Sequence, residues 1–178
     1  MNILQSLFHE VTKVDDPLHV GEVMNLWLCY TGVAESRSIC LLLTNHTNDS
    51  DLKEIIEHLI DDLETPMIKR LGDLMLSEGV ALPAITGDKP KADESAIPLG
   101  AKLTDAEIAN LLVVKLEGML TVCHTGLIQS IRPDLGRMFY AFQSHLLAQG
   151  LSLKNLMQLR GWIRLPPYFR PSSPHSEA

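Results

Sequence analysis

The chain has 178 residues, of which 46% are hydrophobic and 21% are charged, enough apolar material for one hydrophobic core of ordinary size. Only 5% are aromatic. Because leucine is abundant and aromatic residues are scarce, the composition favours helices over a β-sandwich or β-barrel. The formal net charge of −7 repels phosphate groups, so we expect no nucleic-acid partner and no binding to anionic lipid.

The cysteines and the N-terminal residues indicate the compartment. Cys29, Cys40 and Cys123 are odd in number and lie in apolar segments, which predicts buried, reduced thiols and a cytoplasmic location. Residues 1–10 lack the basic start and long apolar run of a signal peptide. No stretch approaches the roughly 18 to 20 uninterrupted apolar residues of a membrane span. We therefore expect a soluble, non-exported protein without a membrane partner.

The first helix is expected over residues 18–46. Asp16 and Pro17 have the form of an N-cap followed by proline at the first helical position, and no further proline interrupts this stretch. Its apolar residues include Trp27, for which packing in the core is the expected role.

A second helix is expected to begin near Asp51, with Glu54 in the capping-box position, and to end at Gly79. Pro66 lies inside its apolar stripe. Because the stripe keeps its phase across the proline, we predict a kink near residues 62–66 and not two separate helices. The acidic run in this helix is expected to form a solvated face: Glu54, Glu57, Asp61, Asp62 and Glu64.

The third helix follows a long connection over residues 80–103, which contains several prolines and glycines. Thr104 and Glu107 form a capping box, and the helix that they open is apolar almost all round, which predicts a central place in the core. Its polar pair, Glu117 and His124, is expected to be buried. Glu117 should then meet a cation across the core, such as His145 or Arg137, in a contact that more often sets register than performs chemistry.

The fourth helix is expected to begin at Arg132-Pro133-Asp134 and to close at Gly150. Ser152 then caps a short fifth helix that ends near Arg160. Residues 165–169 are expected to be extended, with their aromatic side chains laid on the bundle. Together with Trp162 they are alternatively a pairing surface for a second chain.

Four long helices in this order predict an all-α bundle. Short connections make the first and second helices antiparallel, and likewise the third and fourth. The connection over residues 80–103 is long enough to cross the bundle and make the second and third helices parallel, which is the ferritin-like topology. We expect one domain over residues 1–169, followed by a disordered tail over residues 170–178.

Three segments, residues 21–30, 77–83 and 165–169, resemble a ferritin-like family of uncharacterised proteins from spore-forming bacilli, related to spore coat protein F. The likeness covers about residues 5–169. Members of that family often carry two such units in tandem, so a chain with one unit is expected to form a homodimer. The resemblance implies a non-enzymatic structural or assembly protein of the cytoplasm or spore coat, with spore coat proteins as partners, and implies no activity or cofactor.

Metal binding is the alternative function. No Glu-x-x-His pair is present, although each long helix carries one histidine: His19, His58, His124 and His145. Helical rise separates these by up to roughly 30 Å, so they cannot share one ion. His19 and Glu22 share a face, and Asp73 and His124 fall near the same height. These four residues suit Zn, Fe or Mn, although four-helix proteins also scatter such residues by chance.

Other chemistry finds little support in the sequence. No serine lies in a Gly-x-Ser-x-Gly elbow. Each cysteine lies in an apolar helical environment, which raises a thiol pKa and predicts an inert core residue.

Overall fold

The computed structural model describes residues 16–169. Within that range the chain is helical and contains no strand. Two predictions lie outside the described residues: the disordered tail over residues 170–178, and the N-terminal residues 1–10, which lack the features of a signal peptide. The elements are α1 (Val20–Thr44), α2 (Ser50–His58), a π-helical segment (Leu59–Glu64), α3 (Thr65–Ser77), two 3-10 turns (Glu94–Ala96 and Leu99–Ala101), α4 (Asp105–Gln129) and α5 (Pro133–Arg160).

Helix α1 begins later than the sequence predicts. The N-cap is His19, not Asp16, and Pro17 precedes the helix. The imidazole Nδ1 of His19 accepts hydrogen bonds from the backbone N–H groups of Gly21 at 3.0 Å and Glu22 at 3.3 Å. Glu22 Oε2 accepts from the backbone N–H of His19 at 3.2 Å. This reciprocal capping box satisfies N–H groups that the first helical turn leaves unpaired.

The second long helical stretch is continuous from α2 to α3. Asp49, not a capping box with Glu54, caps its start by accepting hydrogen bonds from two backbone N–H groups. The π-helical segment lies just before Pro66, where we predicted a kink. A wider helical turn there accommodates a ring that lacks an N–H donor. Gly79, with a positive φ of 74°, follows the end of α3 as predicted.

The connection between α3 and α4 runs along α1. Thr86 donates to Glu35 at 2.8 Å, Asp88 pairs with Arg37, and Asn45 donates to the backbone carbonyl of Pro90 at 2.9 Å. Because residues 86–90 meet successively later residues of α1, the connection travels in the same direction as that helix.

Contacts between helices fix their directions. Thr47, just after α1, donates to Asp105 at the start of α4 at 2.6 Å. Asn25, near the start of α1, donates to Gln129 at the end of α4 at 3.1 Å. These two contacts make α1 and α4 antiparallel. Gly72 of α3 packs against Tyr30 of α1, whereas the preceding π-helical segment meets later residues of α1, so α3 and α4 run in the same direction.

Helix α5 does not end at Gly150, and the predicted separate helix from Ser152 is its continuation. The helix runs for 28 residues and stops at Gly161, whose φ is +70°. A glycine inside a helix costs only about 1 kcal/mol. Three core side chains beyond it outweigh that cost: Leu153, Leu156 and Met157.

Two stretches are long and apolar enough to cross a membrane by length and composition: Val20–Thr44 and Leu99–Gln129. A core helix of a soluble protein meets the same criterion, so we assign no membrane span. The second stretch is nevertheless only 28% buried in its most apolar window.

The core consists mainly of leucine and methionine side chains, with few aromatic rings. Its largest fully buried side chains include Leu26, Leu52, Met67, Leu112 and Phe139.

Candidate functional site: a buried charge cluster

A lysine and a glutamate pair inside the bundle. Lys115 of α4 reaches Glu64, the last residue of the π-helical segment, with 2.8 Å between Nζ and Oε1. Their side chains are only 11% and 5% exposed. A buried charge is expensive unless it is paired and hydrogen-bonded, so this contact ties the second helical stretch to α4.

Two residues of α1 complete the cluster. The hydroxyl of Ser36 donates a hydrogen bond to Glu64 Oε1 at 2.5 Å. Lys115 Nζ lies 2.7 Å from the sulfur of Cys40. The cluster, defined as Ser36, Cys40, Glu64 and Lys115, therefore joins α1, the π-helical segment and α4. π-helical turns occur frequently at functional sites, so this cluster is the candidate site of the bundle.

The surroundings hold the thiol of Cys40 and the amine of Lys115 in unreactive protonation states. Burial raises the pKa of the Cys40 thiol to about 12, although Lys115 opposes the shift. Burial alone would lower the pKa of Lys115, but Cys40 and Glu64 outweigh it and raise that pKa. At neutral pH the thiol therefore stays protonated and the amine stays an ammonium ion, and neither form is a nucleophile. The arrangement is suited to fixing the register of three helices.

This cluster is not among the predicted sites. Glu64 was expected on a solvated acidic face, whereas it is buried and the other acidic residues of the run are exposed. The spacing of the core residues indicates that Glu64 is buried, because it lies four residues after Ile60 and three before Met67, both in the core. Lys115 likewise lies three residues after Leu112.

The predicted buried pair of α4 is wrong. Glu117 and His124 are both exposed. A helix that is apolar almost all round does not specify which side faces the core, and the side that packs contains Lys115. The polar contact across the core exists, with Glu64 in place of Glu117 as the acid.

The predicted metal ligands occupy three separate environments. His19 and Glu22 are in contact, but as parts of the α1 cap. Asp73 is exposed and pairs with Lys69 at 2.7 Å, and His124 is exposed on α4. Between residues 16 and 169 no group of three or more His, Cys, Asp or Glu side chains is arranged to hold a metal ion.

Glu22 serves instead as a clamp between helix ends. Its Oε1 accepts hydrogen bonds from the backbone N–H groups of Ile131 at 2.8 Å and Arg132 at 2.9 Å. Burial by itself raises the pKa of Glu22, but these bonds and one from the backbone N–H of His19 more than offset it and hold the pKa below its ordinary value. Arg132 in turn pairs with Glu78 and Asp134, at 2.7 Å each.

The cysteines and the aromatic residues divide between the interior and the surface. All three cysteines are buried free thiols, as predicted. Trp27 is 39% exposed, so it packs only partly. Trp162 packs against the core, whereas Tyr168 and Phe169 are almost fully exposed. The terminal aromatic residues are therefore not laid on the bundle as a group.

Comparison with known proteins shows the family. A family model described as "Protein of unknown function (DUF3231)" matches residues 7–173. The chain is similar to the uncharacterized protein YvdQ of Bacillus subtilis (strain 168), with 32% identity over 153 residues that cover 86% of this chain and 89% of that protein. It is also similar to the crystal structure of "a putative spore coat protein" from Bacillus halodurans C-125, with a TM-score of 0.85 and 32% identity over 88% of this chain and 98% of that one. Because the family model matches nearly the whole chain, the protein belongs to the DUF3231 family.

Proposed function

We propose that this protein is a non-enzymatic structural or assembly component of the spore coat, made in the cytoplasm of the sporulating cell and acting through its surfaces. The observation that carries the proposal is the similarity to the Bacillus halodurans structure, which extends over almost the full length of both chains. Its partners would be other coat proteins or further copies of itself. The helix order, with its long connection between antiparallel pairs, supports a ferritin-like description of the bundle.

The interior of the bundle supports a structural role. Two buried acids link different helices, since Glu64 pairs with Lys115 and Glu22 accepts a hydrogen bond from the backbone N–H of Arg132. The thiol of Cys40 is protonated at neutral pH. Such groups hold helices in register, and the exposed apolar side chains of α1 and α4 supply surface for protein contacts.

Fractionation of spores tests the proposal. The tagged full chain is produced in the mother cell of sporulating Bacillus subtilis, and the coat of purified spores is extracted with detergent and reductant. We expect most of the tagged chain in the coat extract and a fluorescent version as a ring around the forespore. A tagged cytosolic protein from the same promoter serves as the control. Recovery of the chain in the mother-cell lysate, with no more in the coat extract than the control, overturns the proposal.

A further inference from the structure

The contact between Lys115 and Cys40 is shorter than an ordinary hydrogen bond to sulfur. Lys115 Nζ lies 2.7 Å from Cys40 Sγ. An N–H···O bond spans about 2.7–3.2 Å, and sulfur is both a larger atom than oxygen and a weaker acceptor. The Cys40 thiol is fully buried and protonated at neutral pH, so it presents no thiolate charge to the ammonium group. Hydrogen bonding therefore does not account for this close approach.

A covalent bridge through one oxygen atom does account for it. Two single bonds of roughly 1.5 Å that meet at an angle near 110° span roughly 2.5 Å, close to the observed separation of nitrogen and sulfur. A direct N–S bond is much shorter and would require α1 and α4 to move together. The two side chains are thus placed for insertion of an oxygen atom with almost no movement of either helix.

Glu64 can take the proton that such a reaction releases. Its Oε1 is engaged by Lys115 at 2.8 Å and by the hydroxyl of Ser36. Its Oε2 is buried and has no hydrogen-bond partner. When the Lys115 nitrogen loses its charge, a proton on the Glu64 carboxylate leaves no unpaired charge in the interior.

A small oxidant can approach the pair from the side of Lys115. The Lys115 side chain is 11% exposed, whereas Cys40 is fully buried. Hydrogen peroxide is close to water in size, while a disulfide reagent is far larger and is excluded from the folded bundle. The raised pKa of the Cys40 thiol slows oxidation at neutral pH but does not prevent it, because a small fraction of thiolate is always present.

We propose that Cys40 and Lys115 form a modification site, at which hydrogen peroxide links Sγ to Nζ through a single oxygen atom and so ties α1 covalently to α4. The bridge is independent of a role in the spore coat, because it needs only the folded chain and the oxidant.

Two molecules of hydrogen peroxide balance the reaction. The first oxidation converts the Cys40 thiol to a sulfenic acid. Over the whole reaction the S–H bond and two N–H bonds of the Lys115 ammonium group break, and one S–O and one O–N bond form. Sulfur and nitrogen each lose two electrons, and each peroxide gains two as its O–O bond breaks. One peroxide supplies the bridging oxygen, three water molecules leave, and the remaining proton goes to the Glu64 carboxylate.

Peptide mass spectrometry tests the bridge. The folded full chain is treated with hydrogen peroxide at pH 9, where the thiolate of Cys40 is about 100-fold more abundant than at pH 7 because the pKa of the thiol is about 12. The chain is then unfolded, its free thiols are blocked, and it is digested with trypsin. We expect the peptide containing Cys40 to be linked to the peptide containing Lys115, with a mass above their sum by one oxygen less two hydrogens. Peroxide that carries heavy oxygen should place its label in the bridge.

Two outcomes of this measurement overturn the proposal. One is the absence of any linked pair of peptides. The other is a linked pair that is lighter than the sum of its peptides by two hydrogens, which indicates a direct N–S bond. Dithiothreitol should cleave the bridge and restore the Cys40 thiol, and a link that survives this reductant also contradicts an S–O bond.

Matched variants separate the bridge from oxidation of the thiol alone. Lys115→Arg keeps the positive charge but lacks the primary amine, and Cys40→Ser keeps a partner for Lys115 but lacks the sulfur. Circular dichroism establishes that each variant is folded, and neither should give the linked peptides. Dimedone, which labels sulfenic acids, should label Cys40 in Lys115→Arg at least about tenfold more than in the wild type, where the amine captures the oxidised sulfur. Equal labelling of the two proteins overturns the proposal.

Discussion

Lys115 Nζ lies 2.8 Å from Glu64 Oε1 inside the bundle, where both side chains are nearly inaccessible to water. The two residues are distant in sequence, so their contact exists only once α4 has packed against the π-helical segment. Its stability cost or benefit can be measured by removing one partner at a time.

Lys115→Met should destabilise the protein by about 3–5 kcal/mol, because it leaves the Glu64 carboxylate buried without its cation. Urea unfolding measures the loss. Lys69→Met is the matched control, since the exposed Lys69–Asp73 pair is worth about 0–1 kcal/mol. The double variant Lys115→Met and Glu64→Leu should recover much of the stability. Equal losses for Lys115→Met and Lys69→Met would show that the buried pair does not form.

The three native thiols should resist modification until the protein unfolds. Burial raises the pKa of Cys40 to about 12, so almost no thiolate is present near neutral pH. The hydrogen bond with Cys123 is the larger cause, and burial the second, of a raised pKa for the Cys29 thiol. Labelling with a chromogenic disulfide reagent should track global unfolding in urea. A Ser144→Cys variant, whose added thiol is exposed on α5, should react at once at that single site. Fast reaction of the wild type would contradict the burial of the three native thiols.

Glu22→Gln should weaken the dependence of stability on acid. The folded pKa of Glu22 is lowered from its ordinary value, so the carboxylate contributes stability that is present above the unfolded pKa and is lost as the pH falls through the folded pKa. At pH 7 the variant should lose about 1–3 kcal/mol, since it weakens charge-assisted bonds to buried N–H groups. That loss should shrink toward zero at low pH.

Urea unfolding across the acid range measures the effect of Glu22→Gln. Glu117→Gln is the control, because Glu117 is exposed on α4. A constant difference between Glu22→Gln and the wild type at every pH would show that the clamp does not depend on its charge.

Two glycine substitutions should have opposite signs. A Cβ at Gly126 would lie 2.6 Å from Cζ of Phe139, which is fully buried, so Gly126→Ala should cost about 1–3 kcal/mol through overpacking. Gly150 lies inside α5 with nothing near its would-be Cβ, so Gly150→Ala should stabilise by about 0.5–1 kcal/mol. Thermal unfolding measures both. A destabilising Gly150→Ala would indicate that α5 breaks at this position.

Local signals in the sequence determined the helical class and several helix boundaries. The capping box of Thr104 and Glu107, the start of α5 at Pro133 and the end of α3 before Gly79 all appear as predicted. Each depends on backbone groups within about four residues, so neighbouring side chains are enough to specify it. The π-helical segment beside Pro66 is similarly local, because the ring lacks a donor.

Only the tertiary structure decided which polar groups are buried and where α5 ends. The apolar pattern of α4 does not distinguish its sides, so the sequence does not say whether Lys115 or Glu117 is buried. The packing of α4 against α1 buries Lys115, which contacts Cys40 and Glu64. Gly150 is a plausible helix stop by propensity, but burial of Leu153 and its neighbours outweighs about 1 kcal/mol of glycine cost. Propensities are small local energies, whereas pairing and burial depend on partners that the fold brings from distant parts of the chain.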